Sequence, residues 1–271
     1  MRLFKHALAI ILVAACSKAG AQELFVFTEP ASNMATHSIG LRLNNSLMNE
    51  RVSGRVNYHL VPELMIGVTG KLMMHGEAFF SNRSRGLGFE GAGAYAKYRF
   101  ISNDDVQRHF RMAVFGRLSA NNSDIHQEEI NLAGHNSGYE AGIIATQLLH
   151  KLAISSSVSF VKAGDNGSNK FVYGLQNSRA VNYTLSAGQL VLPRTYTDYK
   201  QVNMNLMLEL LSQFNTGSGR YYIDAAPSVQ FIFNSTSRLD IGYRKELAAT
   251  LLRTAPDGFY IRVEYNLFNV Y

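Results

Sequence analysis

Ten to twelve short stretches of this chain alternate apolar and polar residues with a period of two. A backbone that keeps this period sends every second side chain to the same face, so each stretch is a strand with one greasy and one polar side. The greasy side must then meet either a protein core or, in a closed ring of strands, the lipid of a membrane.

The opening residues favour the membrane. Arg2 and Lys5 precede an unbroken apolar run from Ala7 to Ala15, and Ala19-Gly20-Ala21 supplies a small-x-small cleavage pattern. These are the parts of an export signal, residues 1–21, which leaves Gln22 as the mature start. The run is too short to span a bilayer. Val13-Ala14-Ala15-Cys16 offers a competing lipoprotein-type cleavage at the chain's only cysteine. Either route takes the protein out of the cytoplasm.

Cleavage after Ala21 leaves 250 residues with no thiol, and therefore no disulfide and no thiolate metal site. It removes Arg2, Lys5 and Lys18 but no acid, lowering the formal charge from +6 to +3. That is too mild to argue for nucleic acid. After the signal no apolar stretch of about eighteen residues occurs, which excludes a helical membrane protein.

Alternation places the first six strands at Ser38–Asn45, Arg55–Val61, Met65–Met74, Glu90–Phe100, His109–Ser119 and Gly138–Leu149. Six more follow at Leu152–Val161, Ala180–Leu190, Lys200–Gln213, Arg220–Phe233, Arg238–Leu247 and Gly258–Tyr271. Tight connections at Pro62-Glu63, Ser102–Arg108, His150-Lys151 and Asn234–Ser237 alternate with longer polar ones at Ser46–Gly54, His75–Phe89, Ala120–Ser137, Lys162–Arg179 and Ala248–Asp257. Short turns at one end and long loops at the other are the mark of an outer-membrane barrel. Two connections fit less well: the one around Leu192–Tyr199 is long for its end, and Phe214–Gly219 is short.

The expected fold is all-β: a closed antiparallel transmembrane barrel of about twelve strands (10–14) over residues 38–271. Residues 22–37 form a periplasmic or lumen segment between the signal and the barrel. Glu23–Met34 is unusually apolar for a free tail, and plugs the lumen, lines its mouth, or adds a short strand at Leu24–Thr28. A secreted β-sandwich also alternates, but it would not give systematic long and short connections.

Strand parity sorts the faces. In Lys200–Gln213, Val202, Met204, Leu206, Leu208 and Leu210 point one way, while Gln201, Asn203, Asn205 and Glu209 point the other. Carried through the chain, the same rule turns Arg42, Arg55, Lys71, Lys97, Arg99, Arg111, Arg117, Arg238, Arg244 and Arg262 inward. The inward acids are fewer: Glu140, Glu209, Asp224, Asp240 and Glu264. An Arg or Lys at mid-bilayer on the lipid face would cost about 2–4 kcal/mol, so their presence within strands argues for a polar, net-basic lumen. This arrangement reads either as a pore with some preference for anions or as paired charges filling a narrow barrel.

Other patterns carry less chemistry. Gly86-Leu-Gly88-Phe-Glu-Gly91 has the glycine spacing of a dinucleotide turn, but it opens a strand where that motif must open a helix. Asp124, His126, Glu128, Glu129 and His135 share a loop with no named metal spacing, and read as solvated. His59, His109 and His150 and the serines Ser155, Ser157 and Ser159 allow a lipid hydrolase or acyltransferase, yet no nucleophile-elbow sequence surrounds them. No catalytic residue, metal or cofactor is assigned.

Three stretches carry a family resemblance: Gln22-Glu-Leu-Phe-Val-Phe-Thr-Glu-Pro-Ala-Ser-Asn-Met34, Asp104-Val-Gln-Arg-His-Phe-Arg-Met-Ala-Val-Phe-Gly-Arg117, and Ala226-Pro-Ser-Val-Gln-Phe231 with Leu239-Asp-Ile-Gly-Tyr-Arg244. With them the chain resembles the Gram-negative outer-membrane barrels grouped with the transporter-like proteins of the phenol-degradation meta pathway. The resemblance implies passage of small solutes across the outer membrane and transfers no binding residue. A carboxy-terminal aromatic, Tyr271, on the lipid-facing parity likewise resembles the signal read by barrel-assembly machinery. The expected partners are therefore outer-membrane lipid, a small solute and that machinery.

Overall fold

The computed structural model describes residues 25–83, 86–106, 108–171, 174–193 and 201–271. The export signal, the Cys16 alternative and the start at Gln22 lie outside them, as do Leu24 and most of the connection at Leu192–Tyr199.

Twelve strands run in chain order: β1 Ser38–Asn49, β2 Val56–Gly67, β3 Leu72–Ser81, β4 Gly88–Asp105, β5 Arg108–Asn121, β6 Gly138–Leu149, β7 Leu152–Ala163, β8 Arg179–Leu192, β9 Asn203–Asn215, β10 Tyr221–Phe233, β11 Ser237–Ala249 and β12 Asp257–Leu267. Each pairs antiparallel with its sequence neighbour. The ring closes where β1 meets β12, from Ile39 opposite Leu267 to Asn49 opposite Asp257. Closure leaves no strand edge unpaired, which a sheet in hydrocarbon requires.

The wall turns its apolar residues outward. Along β9, Leu206, Leu208 and Leu210 are exposed while Met207, Glu209, Leu211 and Gln213 are buried inside the ring. The same outward face carries Leu41 and Leu43 of β1, Ile143 of β6, Val158 of β7 and Val263 and Tyr265 of β12. A continuous apolar belt around a closed ring is not stable in water, so the belt marks the lipid-facing surface of a transmembrane barrel of outer-membrane type.

Four of the five connections at one end are short, covering 68–71, 106–107, 150–151 and 234–236, and the fifth, 193–202 between β8 and β9, is longer and lies mostly outside the described residues. Asn234 and Ser235 both have positive φ (49° and 59°), and Thr236 N donates to Phe233 O at 3.1 Å. This is the tight turn whose twist suits a two-stranded hairpin. At the other end lie 50–55, 82–87, 122–137, 164–178, 216–220 and 250–256. By the length rule this is the extracellular end.

The strand count agrees with the sequence, but one pair of strands is misplaced there. Pro62-Glu63 is the middle of β2 rather than a turn, the real turn is 68–71, and the supposed loop from His75 contains most of β3. Proline reads as a turn because it cannot donate to a ladder. Here β2–β3 pairing lapses beside Pro62, between Leu60 opposite Phe80 and Glu63 opposite Glu77, while Leu43 of β1 still faces it on the other side. The Gly86–Gly91 motif leads straight into β4 and opens no helix. A Cβ on Gly91 would stand 2.1 Å from Ala120 O of β5, so the glycine serves close approach of two strands.

Candidate functional site

Three segments that are not part of the wall fill the lumen, and the space between them is the candidate site. The first is Phe25–Asn33. Phe25 and Val26 pack on Leu148, Ala153 and Met207. The carboxylate of Glu209 accepts the backbone N–H groups of Val26 (2.8 Å), Phe27 (3.0 Å) and Thr28 (2.9 Å), and the Thr28 hydroxyl (2.8 Å). Thr146 Oγ1 accepts Ala31 N, and Lys97 Nζ donates to the carbonyls of Pro30 (2.6 Å) and Ser32 (2.8 Å). These residues form no strand. Their backbone polar groups are instead matched by inward side chains, as burial demands.

The second segment is the loop 122–137. Sequence reading treats its charged residues as solvated; Asp124 and His126 are indeed exposed, but the structure corrects the reading for Glu128 and Glu129, which are buried. Ile130 and Leu132 pack against Val161, Ala163, Phe171 and Ala180 of the loop's neighbours, which draws the loop inward. The amide of Gln213 on β9 receives Ile130 N and donates to Ile130 O, each at 2.8 Å.

The third segment, 250–254, fastens the second. Arg253 donates to both carboxylate oxygens of Asp224 (2.7 and 2.8 Å) and to Glu129 (2.7 Å), and stands over the ring of Tyr222 at 4.0 Å. Arg244 joins Asp224 (2.6 Å) to Glu129 (3.0 Å). Burial pushes the Glu129 carboxyl up, but the guanidiniums of Arg253 and Arg244 outweigh it and hold the group at about 2. His135, at the end of the same loop, is kept well below its ordinary value by burial and by the neighbouring His59 and Arg83.

Between the segments lies a chamber of ≈340 Å³. A charge network lines it and continues behind its walls. Arg42 bonds Glu264 (2.8 Å), Glu29 (2.8 Å) and Glu63 (3.1 Å). Arg238 lies 2.8 Å from Glu264 and 3.1 Å from Asp240, without the alignment of hydrogen bonds. Arg262 reaches Asn44, Phe25 O and Tyr260 OH, with Asp240 at 3.9 Å. Arg117 donates to Glu77, and Glu140 accepts the Ser159 hydroxyl and the Asn182 amide. Arg111 and Arg99 lie toward the short-turn end, donating to Ser32 Oγ and Gly70 O.

Two residues of the inward set fall elsewhere. Arg55 and Lys71 are exposed in the connections 50–55 and 68–71, because the true bounds of β2 and β3 leave both outside a strand. Acids absent from that set are inside: Glu29 from the lumen segment, Glu63 and Glu77 from the misread β2 and β3, and Glu129 from the loop. They offset the basic excess expected from the strands. Correct strand bounds would have exposed Glu63 and Glu77 by parity alone, whereas nothing local marks Glu29 or Glu129.

Among the described residues, the one group with metal-ligand spacing is Glu63, His75 and Glu77, whose ligand atoms lie within 4.8 Å of one another. Both carboxylates are already engaged by guanidiniums, Arg42 and Arg117, which oppose a further cation. Ser155, Ser157 and Ser159 hydrogen-bond to Thr146, Thr184 and Glu140 rather than to a histidine.

No protein-family model matches the chain, and a comparison with curated proteins finds no match. Solved structures do match. An outer membrane channel from Pseudomonas putida F1 superposes with a TM-score of 0.54 at 12% identity, covering 89% of this chain and 99% of that one. The KdgM porin (TM-score 0.47, 10% identity, 83% and 98% covered) and the outer membrane phospholipase A of Escherichia coli (0.46, 9%, 96% and 98%) also align. Identities this low speak to fold only, and the last two fits are too loose to carry an argument about activity. The first agrees with the barrel derived above: this chain has the fold of a Gram-negative outer-membrane β-barrel.

Proposed function

We propose that the protein is a narrow outer-membrane channel for small polar solutes and has no enzymatic role. The observation that carries this reading is the polar chamber enclosed within a closed, lipid-belted wall, walled by Arg42, Arg117, Arg244, Arg262 and their acids. Fixed charges of both signs at close quarters around an open chamber can replace the hydration of a polar solute. The channel fold of the Pseudomonas putida protein supports the same reading. Twelve strands alone leave the bore undecided; here the lumen segment and the loop 122–137 narrow it. Planar-bilayer recording of the refolded protein tests the proposal. Small, discrete conductance steps are expected, growing when Glu209→Ala frees the lumen segment. A protein that inserts but passes no current, with or without that substitution, would leave only a plugged structural barrel.

A further inference from the structure

The arginines around the chamber differ in one respect. Arg42, Arg117, Arg244 and Arg262 each lie within 4 Å of a carboxylate. Arg83, two residues past the end of β3, lines the same chamber, and its guanidinium has no ion pair among the described residues. Close by, the imidazoles of His59, from β2, and His135, from the loop 122–137, lie against each other at a 44° tilt with ring centroids 4.3 Å apart. Both rings line the chamber, and both feel the charge of Arg83. His59 Nε2 and His135 Nδ1 are buried without a hydrogen-bond partner.

Unpartnered buried nitrogens are unfavourable, and native structures rarely keep two of them together without a use. Two imidazoles alone would suit a transition-metal ion. The guanidinium beside them decides the sign, since it repels a cation and offers a planar fork of donors to an oxyanion. The other charges facing this corner do not reverse that. Glu129 is held by Arg244 and Arg253, Glu90 accepts the Ser81 hydroxyl, and Glu90, Glu50 and Asp124 act on Arg83 without reaching ion-pair distance. His126 and Arg244 add positive charge beside His135.

We propose that Arg83, His59 and His135 bind an oxyanion, the carboxylate or phosphate group of a solute entering the chamber from the loop end. The guanidinium supplies charge and a fork, and each imidazole supplies one N–H. The site thereby names the solute class of the channel and rests on the channel reading for that solute's route.

Titration calorimetry of the refolded protein in detergent tests it, with inorganic phosphate, acetate and neutral acetamide as probes. Binding of phosphate or acetate is expected and of acetamide is not, and which anion binds identifies the source. Arg83→Ala and Arg83→Gln should each weaken binding at least about tenfold, the scale of a lost charge-assisted hydrogen bond. His59→Asn and His135→Asn should weaken it less, and Arg55→Ala, on the exposed rim, not at all. Unchanged heat-modifiable gel mobility establishes that each variant has folded. Wild type that takes up neither anion, or an Arg83 variant of either kind that binds like wild type, overturns the proposal. Arg83-dependent binding in a protein that passes no current would end the channel reading and leave this site standing; current without such binding does the converse.

Discussion

Removing the Glu209 carboxylate should release the lumen segment without opening the barrel. Glu209 is fully buried and accepts three consecutive backbone N–H groups and one hydroxyl from residues 26–28, more than 180 positions away in sequence. A hydrogen bond to a charged group contributes about 1.5–3 kcal/mol. The total falls well below the sum, because residues freed by Glu209→Ala can turn toward water while Lys97, Thr146 and Arg42 still hold residues 29–32. About 3 kcal/mol is the scale to expect, which raises the local opening equilibrium roughly a hundredfold. Amide hydrogen exchange reads this directly. Val26, Phe27 and Thr28 should exchange about a hundred times faster than in wild type, with the β9 amides unchanged. Unaltered exchange at these three positions would show that the carboxylate does not hold the segment. Equal loss of protection throughout β9 would make Glu209 a residue of the wall's own stability.

Three further outcomes follow from the wall and the loops. Leu206→Arg places a charge on the lipid face at about 2–4 kcal/mol, whereas Asn205→Arg adds one to the lumen; vesicle assembly should fall for the first far more than for the second, and equal assembly would reverse the faces. Arg253→Ala leaves the buried acids Asp224 and Glu129 to Arg244 alone and should loosen the loop 122–137 by about 1.5–3 kcal/mol, the scale of a lost charged hydrogen bond, seen as proteolysis within that loop while the strands stay intact. Acid should loosen the same loop. His135 stays neutral when docked and takes up a proton below its ordinary value of about 6.5 when released, so docking weakens as pH falls through that range. Glu129, held at about 2 when docked against about 4.3 when free, adds stability that is present above pH 4.3 and is lost progressively down to about 2. The protection of the loop amides, their exchange rate referred to the intrinsic rate at each pH, should fall from pH 7 to 5 to 3, and a flat profile would contradict both assignments.

The sequence by itself determined the wall. A period of two is a local property, so the faces of β9 and β12, a count of about twelve strands and most of the short and long connections were readable without knowing what paired with what. Where a residue's local habit misleads, the reading failed locally: Pro62 looks like a turn and stands inside β2, and that single error moved Glu63, Glu77 and Lys71 to the wrong places. Only the tertiary structure decided what fills the tube. The acceptors of the lumen segment and the partners of the loop 122–137 lie far off in the chain, on strands that face one lumen only because the ring has closed. Glu129 is charged in a loop by every local rule, yet it is buried because Arg244 and Arg253 arrive beside it from two other parts of the chain. Burial of a charge depends on its partner, and a partner reached through ring closure leaves no trace in the spacing of nearby residues.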